Sequence, residues 1–176
     1  MPPKAADEGN VGNDMVDIVG STEEIFARLA VAMIAGFVLG INRELRGKPA
    51  GVRTHGLVAL GACLVTIVTM EIAHFGGRFN PDAVSRVIQG VITGIGFIGG
   101  GVILKLPEAR AVQGLTTAAS VWVTACVAVA FGAGMWRTAL LGLGLTLMAL
   151  LFGGPIEALA SRVLKGDPRP SGWNDD

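Results

Sequence analysis

Residues 86–105 read Arg86-Val-Ile-Gln89-Gly90-Val-Ile-Thr-Gly94-Ile-Gly96-Phe97-Ile-Gly99-Gly100-Gly101-Val-Ile-Leu-Lys105, an apolar run with no formal charge between its two basic ends. A helix crosses the hydrocarbon core of a bilayer with about 20 mostly apolar residues, so this stretch alone suffices for one span. Two further uncharged runs, Ala111 to Trp136 and Thr138 to Ile156, have the same character. With two more apolar segments upstream, five spans are expected at 24–42, 56–75, 86–104, 114–134 and 137–156. The fold class is therefore an all-α polytopic membrane helix bundle. Composition agrees: 51% of the 176 residues are hydrophobic and only 16% charged, against about 25% charge in soluble domains. Mean hydropathy is +0.58.

The 14 basic and 14 acidic residues cancel, so no global field attracts nucleic acid. The expected surroundings are the lipid bilayer, with no nucleic-acid partner. Cys63 and Cys126 sit singly inside apolar runs and form no CxxC pair, which excludes a zinc or redox motif of that kind. HExxH, GxSxG and an intramembrane aspartate pair are all missing, so the chain is not expected to be an enzyme. Gly94-Ile-Gly96-Phe-Ile-Gly99 matches the dinucleotide fingerprint GxGxxG. It lacks the strand before it, the helix start after it and the acid about 20 residues on that give the fingerprint meaning.

The first 24 residues contain one basic residue, Lys4, and six acids (Asp7, Glu8, Asp14, Asp17, Glu23 and Glu24). That is the reverse of a secretory signal's basic start, and residues 1–23 read as an acidic disordered tail. Orientation follows from the basic residues of the loops. Arg43, Arg46, Lys48, Arg53, Lys105, Arg110, Arg162, Lys165 and Arg169 fall on one side of the expected spans; Lys4, Arg78, Arg86 and Arg137 fall on the other. This predicts the N-terminus outside and the C-terminus in the cytoplasm. Residues 24–156 then form the transmembrane domain and 157–176 a short cytoplasmic tail. Arg28 and Glu71 lie near outer helix ends, where long side chains can snorkel to the interface.

Glycine is tolerated in a span where it permits close helix contact. Three GxxxG pairs occur, Gly36/Gly40, Gly90/Gly94 and Gly96/Gly100, and their density predicts that span 3 packs at the centre of the bundle or in a homo-oligomer. Two polar clusters flank the spans. The inner mouth gathers Asn42, Arg43 and Glu44 at the end of span 1 with Arg53, Thr54 and His55 at the start of span 2, as an ion-pair cluster or an anion site. Thr54 is a candidate N-cap. The outer cluster comprises Glu71, His74, Asp82, Arg86 and Gln89. Their three- and four-residue spacings put each pair on one helix face, and the cost of charge in lipid predicts that Arg86 turns inward to pair with Asp82 or Glu71. Magnesium accepts as few as one or two carboxylates, so Glu71 and Asp82 are the candidate ligands if Mg2+ binds.

The segments Gly40-Ile-Asn-Arg43-Glu44, Ala50-Gly51-Val-Arg53-Thr54-His55-Gly-Leu57, Arg86 to Ile103 and Gly114-Leu-Thr-Thr117-Ala-Ala-Ser-Val-Trp122 together resemble the membrane domain of the MgtC/SapB family. The resemblance implies a multi-pass protein of the bacterial inner membrane with about five spans and its N-terminus outside. It further implies a link to growth in low magnesium and, in some members, to control of the ATP synthase. The expected role is a regulator or interaction partner of membrane complexes; the alternative is a transporter or channel for Mg2+ or another small ion. Two departures are visible. Asn42 stands where the family often has Glu, removing a carboxylate from the inner mouth. Many members also continue into a soluble domain, whereas about 20 residues follow span 5 here.

Overall fold

A computed structural model of the chain describes residues 20–74, 79–103 and 113–165. Those residues form five helices: α1 (Thr22–Leu45), α2 (Val52–Ala73), α3 (Pro81–Val102), α4 (Leu115–Gly132) and α5 (Trp136–Lys165). All five are long and apolar enough to cross a membrane, and no strand occurs among the described residues. The acidic residues 1–19, Arg78, Lys105, Arg110 and the end of the tail from 166 onward lie outside them.

Short polar signals set the helix boundaries. Ser21 caps α1, its hydroxyl accepting from the Glu24 amide, with Glu23 and Glu24 in the first turn where the helix dipole favours negative charge. Asn80 caps α3 by accepting from the amides of Asp82 and Ala83, with Pro81 in the first turn, where the missing N–H costs nothing. The break between α1 and α2 is a tight turn with Gly47 and Ala50 both at positive φ. α5 runs beyond residue 156, continuing through Pro155 to Lys165.

The bundle is built on α4. Half of its span is buried, against 11% for α3 and 6% for α5, and it packs on all four other helices. The core is made of small side chains, including Ala32, Ala35, Ala59, Ala62, Ala125 and Ala128, around Val121 and Phe131. Lipid is as apolar as leucine, so close van der Waals packing of small residues holds the helices together in place of a hydrophobic drive.

Glycine does this work between α1 and α2. A Cβ at Gly36 would stand 2.5 Å from the His55 carbonyl oxygen, and one at Gly40 would stand 2.6 Å from Cα of Val52. The expectation that span 3 packs at the centre of the bundle is corrected. At Gly90, Gly94, Gly96 and Gly100 an added Cβ would meet nothing within 4 Å, so among the described residues these glycines pack against no helix. The inward side of α3 is instead Ile95 and Gly99, the latter against Ala118 of α4. Glycine content measures how closely a helix can be approached, and it does not say which side another helix of the chain occupies. Gly99-Gly100-Gly101 also leaves the helix intact through Val102.

Candidate functional site

The residues of the inner-mouth cluster meet because the α1–α2 crossing is so close. Gly40 lets the start of α2 lie against the last turns of α1, and this places Arg43 and His55 side by side, both facing α4. Arg43 is 4% exposed and donates from Nη2 to the hydroxyl of Thr117, in the first turn of α4. His55 is fully buried, with Nδ1 3.1 Å from the Gly51 carbonyl oxygen and Nε2 3.2 Å from Oγ of Ser120. The Ser120 hydroxyl lies 2.8 Å from the Thr117 carbonyl oxygen. With Nδ1–H donating to Gly51, a neutral His55 accepts at Nε2, and the Ser120 proton is shared between that nitrogen and the Thr117 carbonyl.

The result is a polar knot that ties α1, α2 and α4. Its centre carries a guanidinium with no carboxylate partner among the described residues, so it is not the ion-pair cluster that the sequence allows. Two of its atoms are buried without a hydrogen bond, Nε of Arg43 and Oδ1 of Asn42. Such groups are costly away from water. Glu44 has a different task. Its exposed carboxylate accepts from the Val52 amide at 3.1 Å, serving the N-terminus of α2 where Gly51, the N-cap, offers no side chain. Thr54 is therefore not the cap, and Arg53 is exposed.

Next to the knot, Arg46 donates to the carbonyl of Leu151 at 3.2 Å. That carbonyl is the one whose helical partner would be the N–H of residue 155, and residue 155 is proline. The basic loop after α1 thus supplies a donor that α5 lacks. Two apolar grooves flank α4 at this level. One, of about 370 Å³, is lined by Thr116, Ala119, Ser120 and Val123 against Leu145 and Leu150 of α5; the other, of about 270 Å³, lies between Gly96 and Gly100 of α3 and Ala118 and Trp122 of α4.

At the other end of the bundle the structure redistributes the outer cluster. Arg28 pairs with Glu24 and donates to the Gly132 carbonyl at 3.0 Å, closing the C-terminal end of α4 rather than snorkelling. His74 lies 2.8 Å through Nδ1 from the Met70 carbonyl oxygen and its ring stacks on Phe79, 4.6 Å between centroids. Glu71 is half-buried, while Asp82, Arg86 and Gln89 are exposed on α3. The inward pairing of Arg86 with Asp82 or Glu71 is corrected: neither pair forms. α3 turns its valine and isoleucine side to the bundle, which carries these three residues to the opposite side. Among the described residues no group of three His, Cys, Asp or Glu side chains converges as a metal site, and Glu71 and Asp82 stand on different helices.

Thr117 and Ser120 complete the knot although they did not stand out as site residues. The signal is their spacing: two hydroxyls three apart, on one side of an otherwise apolar helix.

A model of the MgtC family matches residues 29–159. The chain is 41% identical over 129 residues to SrpB of Synechococcus elongatus, covering 70% of this chain and 71% of that protein. It is 40% identical over 136 residues to a protein of Escherichia coli K12 named "Putative magnesium transporter YhiD", covering 73% of this chain and 60% of that one. To the MgtC protein of Salmonella typhimurium it is 38% identical over 112 residues, 64% of this chain and 45% of that one. The chain thus spans between about half and two thirds of the length of several relatives. No solved structure matches.

Proposed function

Because the chain is a multi-pass membrane protein that belongs to the MgtC family, we propose that it is a regulator in bacterial adaptation to low magnesium that acts by docking on other membrane complexes of the inner membrane. One observation carries this reading. The buried Arg43 and His55 are engaged in joining helices of the bundle itself, whereas the groove of about 370 Å³ between α4 and α5 stays open, where a partner helix can reach it. The ATP synthase is a candidate partner, no enzymatic reaction is involved, and Mg2+ acts on the system without a dedicated cofactor role. Photo-crosslinking in native membranes, with a photoreactive residue at Leu145 beside that groove, should trap a discrete protein partner whose yield changes with external magnesium. Purified protein that sustains saturable Mg2+ flux in liposomes with no partner present would sink the proposal.

The second reading is a transporter, favoured by the name of the YhiD relative and by Glu71 and Asp82 at one end of the bundle opposite the Arg43 knot. It predicts that Glu71→Gln and Asp82→Asn abolish flux while the protein still inserts. Flux unchanged in both variants would remove these carboxylates from any path.

A further inference from the structure

A helix that faces lipid should expose its apolar side. α5 does so: it is scarcely buried, and its exposed residues include Leu140, Leu141, Leu145, Met148 and Leu151. α3 is almost as open to the surroundings, yet its exposed side carries polar side chains beside Phe97. Its buried or half-buried side is Val84, Val91, Ile95 and Val102, whereas Asp82, Arg86, Gln89, Gly90, Thr93 and Phe97 are all exposed. At 100° per residue these six fall on one side of the helix. Among the described residues the Gln89 amide has no hydrogen-bond partner and Arg86 no ion pair. In hydrocarbon the uncovered Gln89 amide is unfavourable as it stands, because a polar group there finds no water.

We propose that a second copy of this chain covers this side of α3, the two α3 helices running parallel about a two-fold axis normal to the membrane. Copies inserted the same way bring each residue near its own counterpart, and the chemistry of the face suits that geometry. The Gln89 amide both donates and accepts, so it can bond to its own counterpart across the axis. Thr93 already donates to the Gln89 carbonyl at 2.8 Å and keeps its accepting capacity. Asp82 and Arg86 are opposite charges one turn apart and unpaired within the chain, so Asp82 of one copy can meet the partner's Arg86 and the face has no net charge left over. A face selected for a strongly charged partner would carry an excess of one sign. Gly90 and Gly94, with open space where a Cβ would stand, let the two backbones approach as GxxxG pairs do. The dimer is independent of whether the chain regulates or transports, since a liposome flux that ended the regulatory reading would leave this interface untouched.

The test is disulfide formation in native membranes, with Cys63 and Cys126 replaced by alanine and single cysteines introduced at exposed positions. Thr93→Cys and Phe97→Cys should give a disulfide-linked dimer on oxidation with copper phenanthroline, and Leu145→Cys on the exposed side of α5 should not. Subunit mixing by fluorescence transfer in liposomes provides a second measure. Gln89→Leu should weaken association about three- to fifteen-fold, the range expected from losing an interhelical hydrogen bond in a membrane, and Gly90→Ile should weaken it further by blocking approach. Monomers at every dilution, equal crosslinking at Leu145→Cys, or Thr93→Cys linked only to a different protein would each overturn the proposal.

Discussion

Arg43 shows how a single buried side chain can organise three helices. It is a cation almost wholly removed from solvent, and a hydroxyl, that of Thr117, is the side-chain acceptor it has among the described residues. Removing that acceptor leaves a charged donor uncompensated, which costs about 1–3 kcal/mol or more. Thr117→Val should therefore lower the unfolding midpoint in mixed micelles well below that of Thr116→Val, whose side chain is exposed one position earlier on α4. Equal midpoints for the two variants would show that the knot contributes no stability. Ser120→Ala should cost less, about 0.6 kcal/mol as for an average interhelical hydrogen bond in a membrane. Half of this constellation is legible in the sequence. Arg43 and His55 stand at helix ends beside other polar residues, where charge draws attention. Thr117 and Ser120 lie inside an apolar run, where a hydroxyl can satisfy itself on its own helix's carbonyls, as Thr66, Thr69 and Thr124 do, and so carries no sign of its partners.

At the scale of elements, close approach and a freed carbonyl each give a prediction. Gly36 and Gly61 are both helical glycines, yet a Cβ meets the His55 carbonyl at the first and open space at the second. Gly36→Ala should destabilise by about 1–3 kcal/mol through overpacking, while Gly61→Ala should stabilise by up to about 1 kcal/mol through helix propensity. Urea or SDS titration of the two variants gives the signs directly, and the same sign for both would refute the packing argument. For α5, Pro155→Ala supplies the missing N–H to Leu151, so Arg46→Met should be costly in the native sequence and nearly silent in the Pro155→Ala background. A double-mutant cycle showing no coupling would mean that Arg46 does not serve that carbonyl. The element boundaries could be read from charge-free runs because a span must be apolar along its whole length. The rank of the helices could not: α3 has the most glycine, but α4, whose alanines, serine and threonines look ordinary, is the one surrounded.

For the whole molecule, nine basic residues against four on the two sides of the spans predict the C-terminus in the cytoplasm. A C-terminal fluorescent-protein fusion should mature to fluorescence, and a C-terminal alkaline phosphatase fusion should stay inactive; the opposite pair of results would reverse the orientation. The multi-pass all-helical architecture was fully legible because lipid permits few alternatives. The placement of the outer polar residues was not, since the rule that membrane charges face the interior holds for an assembled protein, and on α3 they face away from the interior of one chain.

The central place of α4 also bears on how the chain is made. A ribosome releases α1, α2 and α3 before α4 exists, so Arg43 and His55 enter the bilayer ahead of Thr117 and Ser120, the groups they will bond. Until α4 arrives, the α1–α2 hairpin holds a cation and an imidazole whose partners are still to be synthesised. The fourth span thus completes the polar knot in time as well as in space, and a nascent chain stalled before it presents Arg43 and His55 without their partners on α4.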